Sequence, residues 1–521
     1  MESATLAASS AEPPSQISEK GLKANCLGYA SNLVIAVAST APAYSLAATL
    51  GFIILVKGVG VHAPAVMIVS FIPILFVSIG YRYFNMADPD AGTTFAWVTR
   101  TFGPQLGWIN GWAIFLADII VMASLAEILG LLCHCHRNAS AYTFSLWNGH
   151  PSTFGLIVGC VIWIVLMTWI CYRGIELSAR VQQFLLTFEI LTLTAFTITA
   201  LVKVYSGHPV GSIHVEGSWF NPFDMGWHSL VDAVLLGIFI YWGWDSGVAV
   251  NEESRDRRRG PGKAAVVSTF MLLAIYVSVT VAAQAFHGTA FLGNNSTDVL
   301  NALGHGVFGS GLDKLMIISV LTSASASTQT TILPTARTTL SMAKWKAIPS
   351  VFGSVHPRFL TPSFSTLMMG GLSIVWTVAL LAFNPNQDVL GDTISALGFA
   401  VCFYYGFTGL ACGFYFRRQL FKSVKNFVLI GLLPFAGGVM MAYVGVQSYT
   451  YYDTAGNNYS KALLGIQTPI LVGIGGLIVG VVLMFASWPF FHEYFRRRPE
   501  VADPRALTDR DWEPTVVGVR E

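Results

Sequence analysis

The sequence predicts an all-α polytopic membrane protein with about twelve transmembrane helices. Of its 521 residues, 54% are hydrophobic and 11% are charged, which is less than half the charged share of a typical soluble domain. Apolar stretches of about 20 residues, the length that crosses roughly 30 Å of hydrocarbon, recur along nearly the whole chain. The net charge of +2 gives no reason to expect a nucleic-acid partner.

Twelve stretches are long and apolar enough to be predicted as membrane spans. We place them near residues 28–56, 62–83, 105–131, 153–172, 181–204, 228–250, 264–286, 313–342, 363–384, 391–415, 427–447 and 466–490. An even number of spans puts both chain ends on the same side of the membrane. Residues 1–25 and 491–521, which are polar and rich in Pro, Ser, Asp or Arg, are expected to be disordered tails.

The side that holds both tails is predicted from the Lys and Arg residues, which concentrate in cytoplasmic loops. The tails and the loops on their side hold 24 of the 30 Lys and Arg residues, so we assign that side to the cytoplasm. The expected location is a plasma membrane, with a bacterial inner membrane favoured.

Two of the predicted spans contain residues that interrupt a helix. In the first span, Pro42 follows Ser39-Thr40-Ala41 at mid-span, and it removes a backbone donor there. In the sixth span, Tyr241-Trp242-Gly243-Trp244-Asp245-Ser246-Gly247 places two glycines around a carboxylate. Irregular backbone at membrane depth needs protein or a water-filled cavity to satisfy its polar groups, so the pair of breaks indicates a site.

The spacing of the two breaks predicts an internal repeat. They lie five helices apart, and because five is odd, a second set of five helices would run opposite to the first. We expect inverted repeats over about 28–204 and 228–415, with two extra helices over about 427–490, all within one domain at 26–490. A simple proline kink remains an alternative for Pro42 considered alone.

Five stretches at the ends of the spans resemble the motifs of one known family, in order and in spacing. They are Pro89-Asp90-Ala91-Gly92-Thr93-Thr94-Phe95, Gly174 to Val181, Glu252-Glu253-Ser254, Ala336 to Pro349, and Val355-His356-Pro357-Arg358 with Thr361-Pro362. The first is similar to the Pro-X-Ala-Gly-Gly-X-Tyr signature of the amino acid, polyamine and organocation transporter superfamily. The chain thus resembles an amino acid permease over roughly residues 25–490.

The resemblance implies a transporter domain in which the first, third, sixth, eighth and tenth spans enclose the substrate, and alternating access driven by an ion gradient or by exchange. The sequence departs from the family at two places. Many members carry glycines where this chain has Ser39-Thr40-Ala41, and many proton-coupled members have a lysine where this chain has Glu189. The expected function is symport of an amino acid with a coupling ion, with a proton preferred.

The candidate substrate-binding residues lie at the two breaks. The backbone N–H groups of Ala41 and Ala43, at the start of a half-helix, could meet a carboxylate, and Ser39 and Thr40 could add hydroxyls. Close helix packing is an alternative role for these small residues. At the second break Tyr241, Trp242 and Trp244 could cover an amine through cation–π attraction, although packing explains each aromatic equally well.

Three carboxylates lie inside predicted spans, namely Asp118, Glu189 and Asp245. A charge at the bilayer centre costs about 2.5 to 3.5 kcal/mol, so such residues face a cavity, form pairs or carry a proton. We predict that Asp118 and Asp245 contact substrate and that Glu189 is the coupling residue, with a structural Glu as the alternative. The hydroxyls of Ser325, Ser327 and Thr328 are added as candidate ion ligands.

Two further functions compete with amino acid transport. Import or exchange of a polyamine or another cationic amine is favoured by the three buried acids, and an amine sensor that no longer transports is the other alternative. No enzyme motif is found, and no cofactor or metal is expected. The stretch Cys133-His134-Cys135-His136 is interpreted as a loop at a helix end rather than as a metal site.

Overall fold

The computed structural model describes residues 17–133, 153–383, 390–454, 456–458, 462, 465–503 and 507. Within these residues the chain forms eighteen α-helices, joined by short 3₁₀ segments and one π-helical turn. They are α1 Tyr29–Ser39, α2 Pro42–Leu55, α3 Ala63–Ala87, α4 Thr94–Phe102, α5 Pro104–Cys133, α6 Thr153–Arg173, α7 Ile175–Gly207, α8 Trp227–Tyr241, α9 Ser246–Ala249, α10 Gly260–Asn294, α11 Val299–Phe308, α12 Lys314–Lys344, α13 Ser363–Phe383, α14 Leu390–Tyr415, α15 Val424–Asn426, α16 Leu433–Asp453, α17 Thr468–Ser487 and α18 His492–Phe495.

The described residues contain eleven helical stretches that are long and apolar enough to cross a membrane, counting α1 with α2 and α8 with α9 as one each. They correspond to eleven of the twelve predicted spans. The predicted eighth span corresponds to α12, which has 31 residues but is rich in Ser and Thr. The all-α polytopic prediction is confirmed, and the polarity of α12 follows from its position between other helices, where nearly all its residues from Ser323 onward are buried.

The spans with interruptions occupy the centre of the bundle. Almost every residue of α2 is buried, and so is every residue of α9. Helices α6, α7 and α17 instead turn large apolar side chains outward, as a surface in contact with hydrocarbon would require; examples are Phe154, Phe184, Leu191, Ile478 and Phe485. The polar breaks therefore lie in the protein interior and away from lipid.

The N-terminal segment packs on the bundle from residue 17 onward, so residues 17–25 of the tail expected over 1–25 are ordered. Leu22 is fully buried, and the Lys20 ammonium lies 2.5 Å from Asp90 and 2.7 Å from Glu252. The backbone N–H of Leu27 donates to the Glu253 carbonyl at 3.0 Å. Lys20 provides the charge and Leu22 the apolar contact that together offset the entropy cost of ordering this stretch.

The C-terminal segment also departs from the expected disordered tail, since residues 491–503 fold back on the same face. The Tyr494 hydroxyl donates to the Pro104 carbonyl at 2.9 Å, and Arg100 pairs with Glu500 at 2.9 Å. We call the face that carries both described chain ends the terminal face. His134, Cys135 and His136 lie outside the described residues.

Two buried ion-pair clusters tie the helix ends together on the terminal face. The Arg337 guanidinium contacts both carboxylate oxygens of Glu253, at 2.5 and 2.7 Å, and neither side chain is more than 1% exposed. The second cluster consists of Lys20, Asp90 and Glu252. Burial alone would raise the pKa of Asp90, but the charge and hydrogen bond of Lys20 outweigh burial and lower the pKa to about 2. Asp90 is therefore a fixed negative charge at neutral pH.

Candidate functional site

The first span is interrupted between α1 and α2. α1 ends at Ser39, and Ala41 has a left-handed backbone, with φ 46° and ψ 65°. Pro42 is the first residue of α2, where its missing N–H costs nothing because that group has no helical partner. The proline therefore starts a new half-helix after the break instead of kinking a continuous one.

The second interruption separates α8, which ends at Tyr241, from α9, which begins at Ser246. Trp242 is extended, and Gly243 has a φ of 113°, a conformation that side chains rarely adopt. Both interruptions lie where the sequence predicted them.

The two breaks touch each other. A Cβ atom added at Gly243 would come 2.9 Å from the carbonyl carbon and oxygen of Ser39, so glycine is required for this approach. The Ser39 and Ser246 hydroxyls share a hydrogen bond of 2.8 Å, and the Ser327 hydroxyl of α12 donates to the Ser39 carbonyl at 2.9 Å. The break residues are thus held by side chains from three spans.

Glu189 of α7 lies at the start of α2. Its Oε1 atom accepts the Ala43 backbone N–H at 2.7 Å and the Ser323 hydroxyl at 2.7 Å, while Ser323 accepts the Tyr44 N–H at 3.1 Å. The side chain is fully buried, and its Oε2 atom has no hydrogen-bond partner among the described residues. A carboxylate therefore occupies the positive end of the second half-helix, where the helix dipole favours negative charge.

Asp245 lies within a group of aromatic side chains at the second break. The Tyr405 hydroxyl donates to its Oδ1 at 2.8 Å and the Tyr404 hydroxyl to its Oδ2 at 3.4 Å. The Trp242 indole N–H donates to Tyr404, and the Trp244 ring stacks on Tyr405 with ring centroids 5.2 Å apart. This arrangement offers a carboxylate beside electron-rich ring faces, which is suited to an ammonium group.

Asp118 of α5 is 2% exposed and accepts a hydrogen bond from Thr335 of α12. Asp118 and Asp245 are close enough to interact electrostatically. Among the described ion pairs, none involves Asp118, Glu189 or Asp245. The region around the two breaks therefore holds three carboxyl groups without a basic partner in the described part of the chain.

Some predicted site residues point elsewhere. The Tyr241 hydroxyl donates to the Met67 carbonyl of α3 at 3.1 Å, away from the break. The Thr40 hydroxyl donates to the Val37 carbonyl at 2.7 Å, within the last turn of α1. Ser325 and Thr328 donate to carbonyls four residues earlier in α12, at 2.5 and 2.7 Å. Of the three candidate ion ligands in α12, Ser327 is the one whose hydroxyl contacts a break.

Three residues at the site were missed by the sequence analysis, namely Ser323, Tyr404 and Tyr405. A signal for Ser323 was present, because Ser319, Ser323 and Ser327 recur every four residues and so share one helix face. The adjacent tyrosines in α14 had no such signal, since a pair of aromatics is common in an apolar span.

The fold and the site define a class of protein. Interrupted helices that meet at a buried polar centre inside a polytopic α-helical bundle are typical of secondary membrane transporters. The family model for amino acid permeases matches residues 30–466 of the chain. The chain belongs to the amino acid permease family, as its motifs predicted.

The relatives that this chain resembles are named for different substrates. The branched-chain amino acid permease BcaP of Lactococcus lactis is 23% identical over 59% of the chain, and this match covers 64% of that permease, less than two thirds of its length. The arginine/ornithine antiporter of Latilactobacillus sakei is 24% identical over 80% of the chain and 88% of the antiporter. The human Asc-type amino acid transporter 1 is 24% identical over 84% of the chain and 78% of the transporter.

Proposed function

We propose that this protein is a secondary active transporter that moves an amino acid across a bacterial plasma membrane by alternating access, with proton symport through Glu189 and with both termini in the cytoplasm. The observation that carries the proposal is the position of Glu189. Its buried carboxyl group joins the start of α2 to Ser323 of α12, so its protonation state acts directly on the first break.

The ammonium group of the substrate is assigned to the second break. Asp245 supplies a negative charge, and Trp242 and Trp244 supply ring faces next to it. Asp118 of α5, which accepts a hydrogen bond from Thr335 of α12, adds a second negative charge close enough to interact with Asp245. Ser39, Thr40 and Ala41 form the floor between the two half-helices.

Uptake into proteoliposomes tests this proposal. The purified protein is reconstituted, and uptake of labelled leucine, alanine, glutamate, arginine and putrescine is measured with and without an inward proton gradient. We expect at least one amino acid to accumulate when the gradient is imposed and to stop accumulating when an uncoupler is added. Uptake that requires a preloaded lumen and ignores the gradient would identify an exchanger and refute proton symport.

The Glu189→Gln variant tests the coupling residue. It should keep binding and exchange but lose accumulation against a gradient, because an amide cannot load and release a proton. Glu216→Gln serves as the matched control. Glu216 is exposed on a loop of the face opposite the terminal face, and among the described bonds its carboxylate contacts only the Ser218 hydroxyl, at 3.2 Å. A Glu189→Gln protein whose uptake kept its full pH dependence would refute the assignment.

A second candidate function is import or exchange of a cationic amine. The absence of a basic partner for Asp118 and Asp245 in the described chain favours it, because two buried carboxylates would match a substrate that carries more than one positive charge. Replacing both by their amides, Asp118→Asn with Asp245→Asn, should abolish putrescine uptake and spare leucine uptake if this candidate is correct. Loss of both activities would support the amino acid proposal.

A further inference from the structure

We infer that a proton on Glu189 Oε2 is the hydrogen-bond donor for the α-carboxylate of the substrate, so that each carboxylate enters together with one proton. This inference rests on the proposed function. It goes further by naming the substrate group that requires the proton, which is the α-carboxylate. It limits coupling to substrates with a free α-carboxylate.

The backbone donors at the first break are already used inside the protein. The Thr40 and Ala41 N–H groups donate to carbonyls of α1, both at 3.2 Å, Pro42 has no N–H, and the Ser45 N–H donates to the Ala41 carbonyl at 2.8 Å. Ala43 donates to Glu189, and Tyr44 donates to Ser323. An incoming carboxylate would therefore meet the positive end of α2 without finding a free backbone donor, although burying a carboxylate without donors is costly.

The two oxygens of Glu189 are not equivalent. Oε1 accepts two hydrogen bonds at 2.7 Å, and Oε2 accepts none from the described residues although the side chain is fully buried. Protonation of Oε2 leaves both existing bonds of Oε1 in place and turns Oε2 from an unpaired acceptor into a donor. Protonation of Glu189 on Oε1 instead would compete with the two hydrogen bonds that Oε1 accepts, whereas protonation on Oε2 creates a donor without breaking a hydrogen bond.

The step balances in atoms and charge. An O–H bond forms on Oε2 with a proton from the aqueous phase on the entry side, and the neutral carboxylic acid then donates to the substrate carboxylate. After the change in access the substrate leaves, the O–H bond breaks, and the proton passes to the aqueous phase on the exit side. A deprotonated Glu189 would repel the substrate carboxylate, which couples the two movements.

Few other charges can act on Glu189. Tyr276 of α10 is close enough to interact with it electrostatically, but the Tyr276 hydroxyl donates to the Ile240 carbonyl at 2.7 Å. From α2 the titratable side chain is Tyr44, and α1 contributes Tyr29 near the terminal face. The charged residues of the other packed helices lie at their ends: Arg173 in α6, Lys263 and His287 in α10, His305 in α11, and Lys314, Arg337 and Lys344 in α12. Ser323 is nine residues, about 13 Å, from Lys314.

The test compares substrates with and without a carboxylate. Leucine and arginine are each paired with the corresponding α-amide, leucinamide and argininamide, and equilibrium exchange into proteoliposomes is measured at pH 6 and pH 8. We expect exchange of the amino acids by the natural protein to fall on the order of tenfold between these values, because deprotonation removes the donor. Exchange of the amides should change less than about twofold.

The Glu189→Gln variant tests whether a permanent donor at this position removes the pH dependence of exchange. A glutamine amide can accept at Oε1 and always donates from its nitrogen. Leucine exchange by this variant should therefore persist and become independent of pH, while Glu189→Leu should lose leucine exchange at both pH values. In Ser323→Ala the carboxylate loses one donor, so the midpoint of the pH profile should move to higher pH instead of only lowering the maximal rate.

Three outcomes would overturn the inference. Equal pH dependence of the amino acids and their amides would mean that the proton serves another group, while gradient-driven leucine uptake would still uphold the proposed function. Loss of leucine exchange at both pH values in Trp244→Phe, with Glu189→Gln behaving like the natural protein, would transfer the donor role to the Trp244 indole, whose N–H has no partner among the described residues and does not titrate. Uptake of none of the amino acids would overturn the proposed function itself.

Discussion

Gly243 of the second break lies against the backbone of Ser39 in the first. With φ at 113°, Gly243 leaves no room for a side chain, because an added Cβ atom would sit 2.9 Å from three atoms of Ser39. Any movement of α9 relative to α1 must therefore change this contact, which makes it a sensitive point in the transport cycle.

Replacing Gly243 by alanine should reduce transport on the order of tenfold or more. The methyl group is strained by the positive φ and by contact with the Ser39 backbone, which cannot move as a flexible side chain would. Initial uptake rate per reconstituted molecule measures the effect. Gly371→Ala is the control, because Gly371 of α13 has open space around it and should tolerate a methyl group. Equal loss in both variants would contradict the prediction.

Removing the cation from the buried pair on the terminal face should destabilise the protein strongly. In Arg337→Met the Glu253 carboxylate stays buried without its partner, and the loss should be about 3 to 5 kcal/mol. Combining Arg337→Met with Glu253→Met should recover much of the loss, because no charge remains unpaired. Apparent melting temperatures in detergent measure both changes, and a double variant as unstable as the single one would argue against this explanation.

The ion pair between Lys20 and Asp90 should give a stability contribution that disappears in acid. Because the pKa of folded Asp90 is lowered to about 2, its contribution is complete above the ordinary value near 3.8 and is lost as the pH falls toward 2. The shift corresponds to about 2 kcal/mol. The difference in melting temperature between the natural protein and Lys20→Gln should be constant above about pH 5 and shrink below pH 4.

Lys57→Gln is the matched control for this measurement, because Lys57 is exposed on the opposite face. It should show no difference from the natural protein at any pH. A Lys20→Gln protein that melts at the natural temperature at pH 7 would mean that the packing of Leu22, and not the charge of Lys20, holds the N-terminal segment.

The hydroxyl of Tyr405 should affect substrate affinity more than protein folding. In Tyr405→Phe the Asp245 carboxylate loses its shorter hydrogen bond, at 2.8 Å, and keeps the contact with Tyr404 at 3.4 Å. A hydrogen bond to a charged group contributes about 1.5 to 3 kcal/mol, so KM for the transported substrate should rise on the order of tenfold. Tyr443→Phe, which removes a surface hydrogen bond to Trp227, should leave KM unchanged.

The positions of the spans and of the two breaks could be predicted from the sequence because both depend on local chemistry. Apolar length determines where a helix can cross hydrocarbon, and Pro42 and Gly243 mark breaks within a few residues. The packing of residues 17–25 and 491–503 was missed for the opposite reason. Lys20 becomes ordered through carboxylates 70 and 232 residues away, and no local pattern reports such contacts.

The candidate site was predictable in its residue types but only partly in its geometry. Glu189 was singled out because a carboxylate inside a span is costly, yet its contact with the Ala43 N–H joins residues 146 positions apart. The break in the first span predicts that this N–H meets a substrate carboxylate, whereas in the fold it donates to Glu189. Which donors are free depends on the whole packed arrangement, and hence could not be obtained from composition or spacing.

Lys20 joins two carboxylates from separate parts of the chain, Asp90 after α3 and Glu252 after α9. If one of these parts moved alone, a buried ammonium group would keep only half of its counter-charge, which is less favourable than keeping both or hydrating fully. The terminal face should therefore be either shut or fully open, with half-open forms sparsely populated. Distances measured between spin labels on the two parts would then fall into two separate populations and not into one broad distribution.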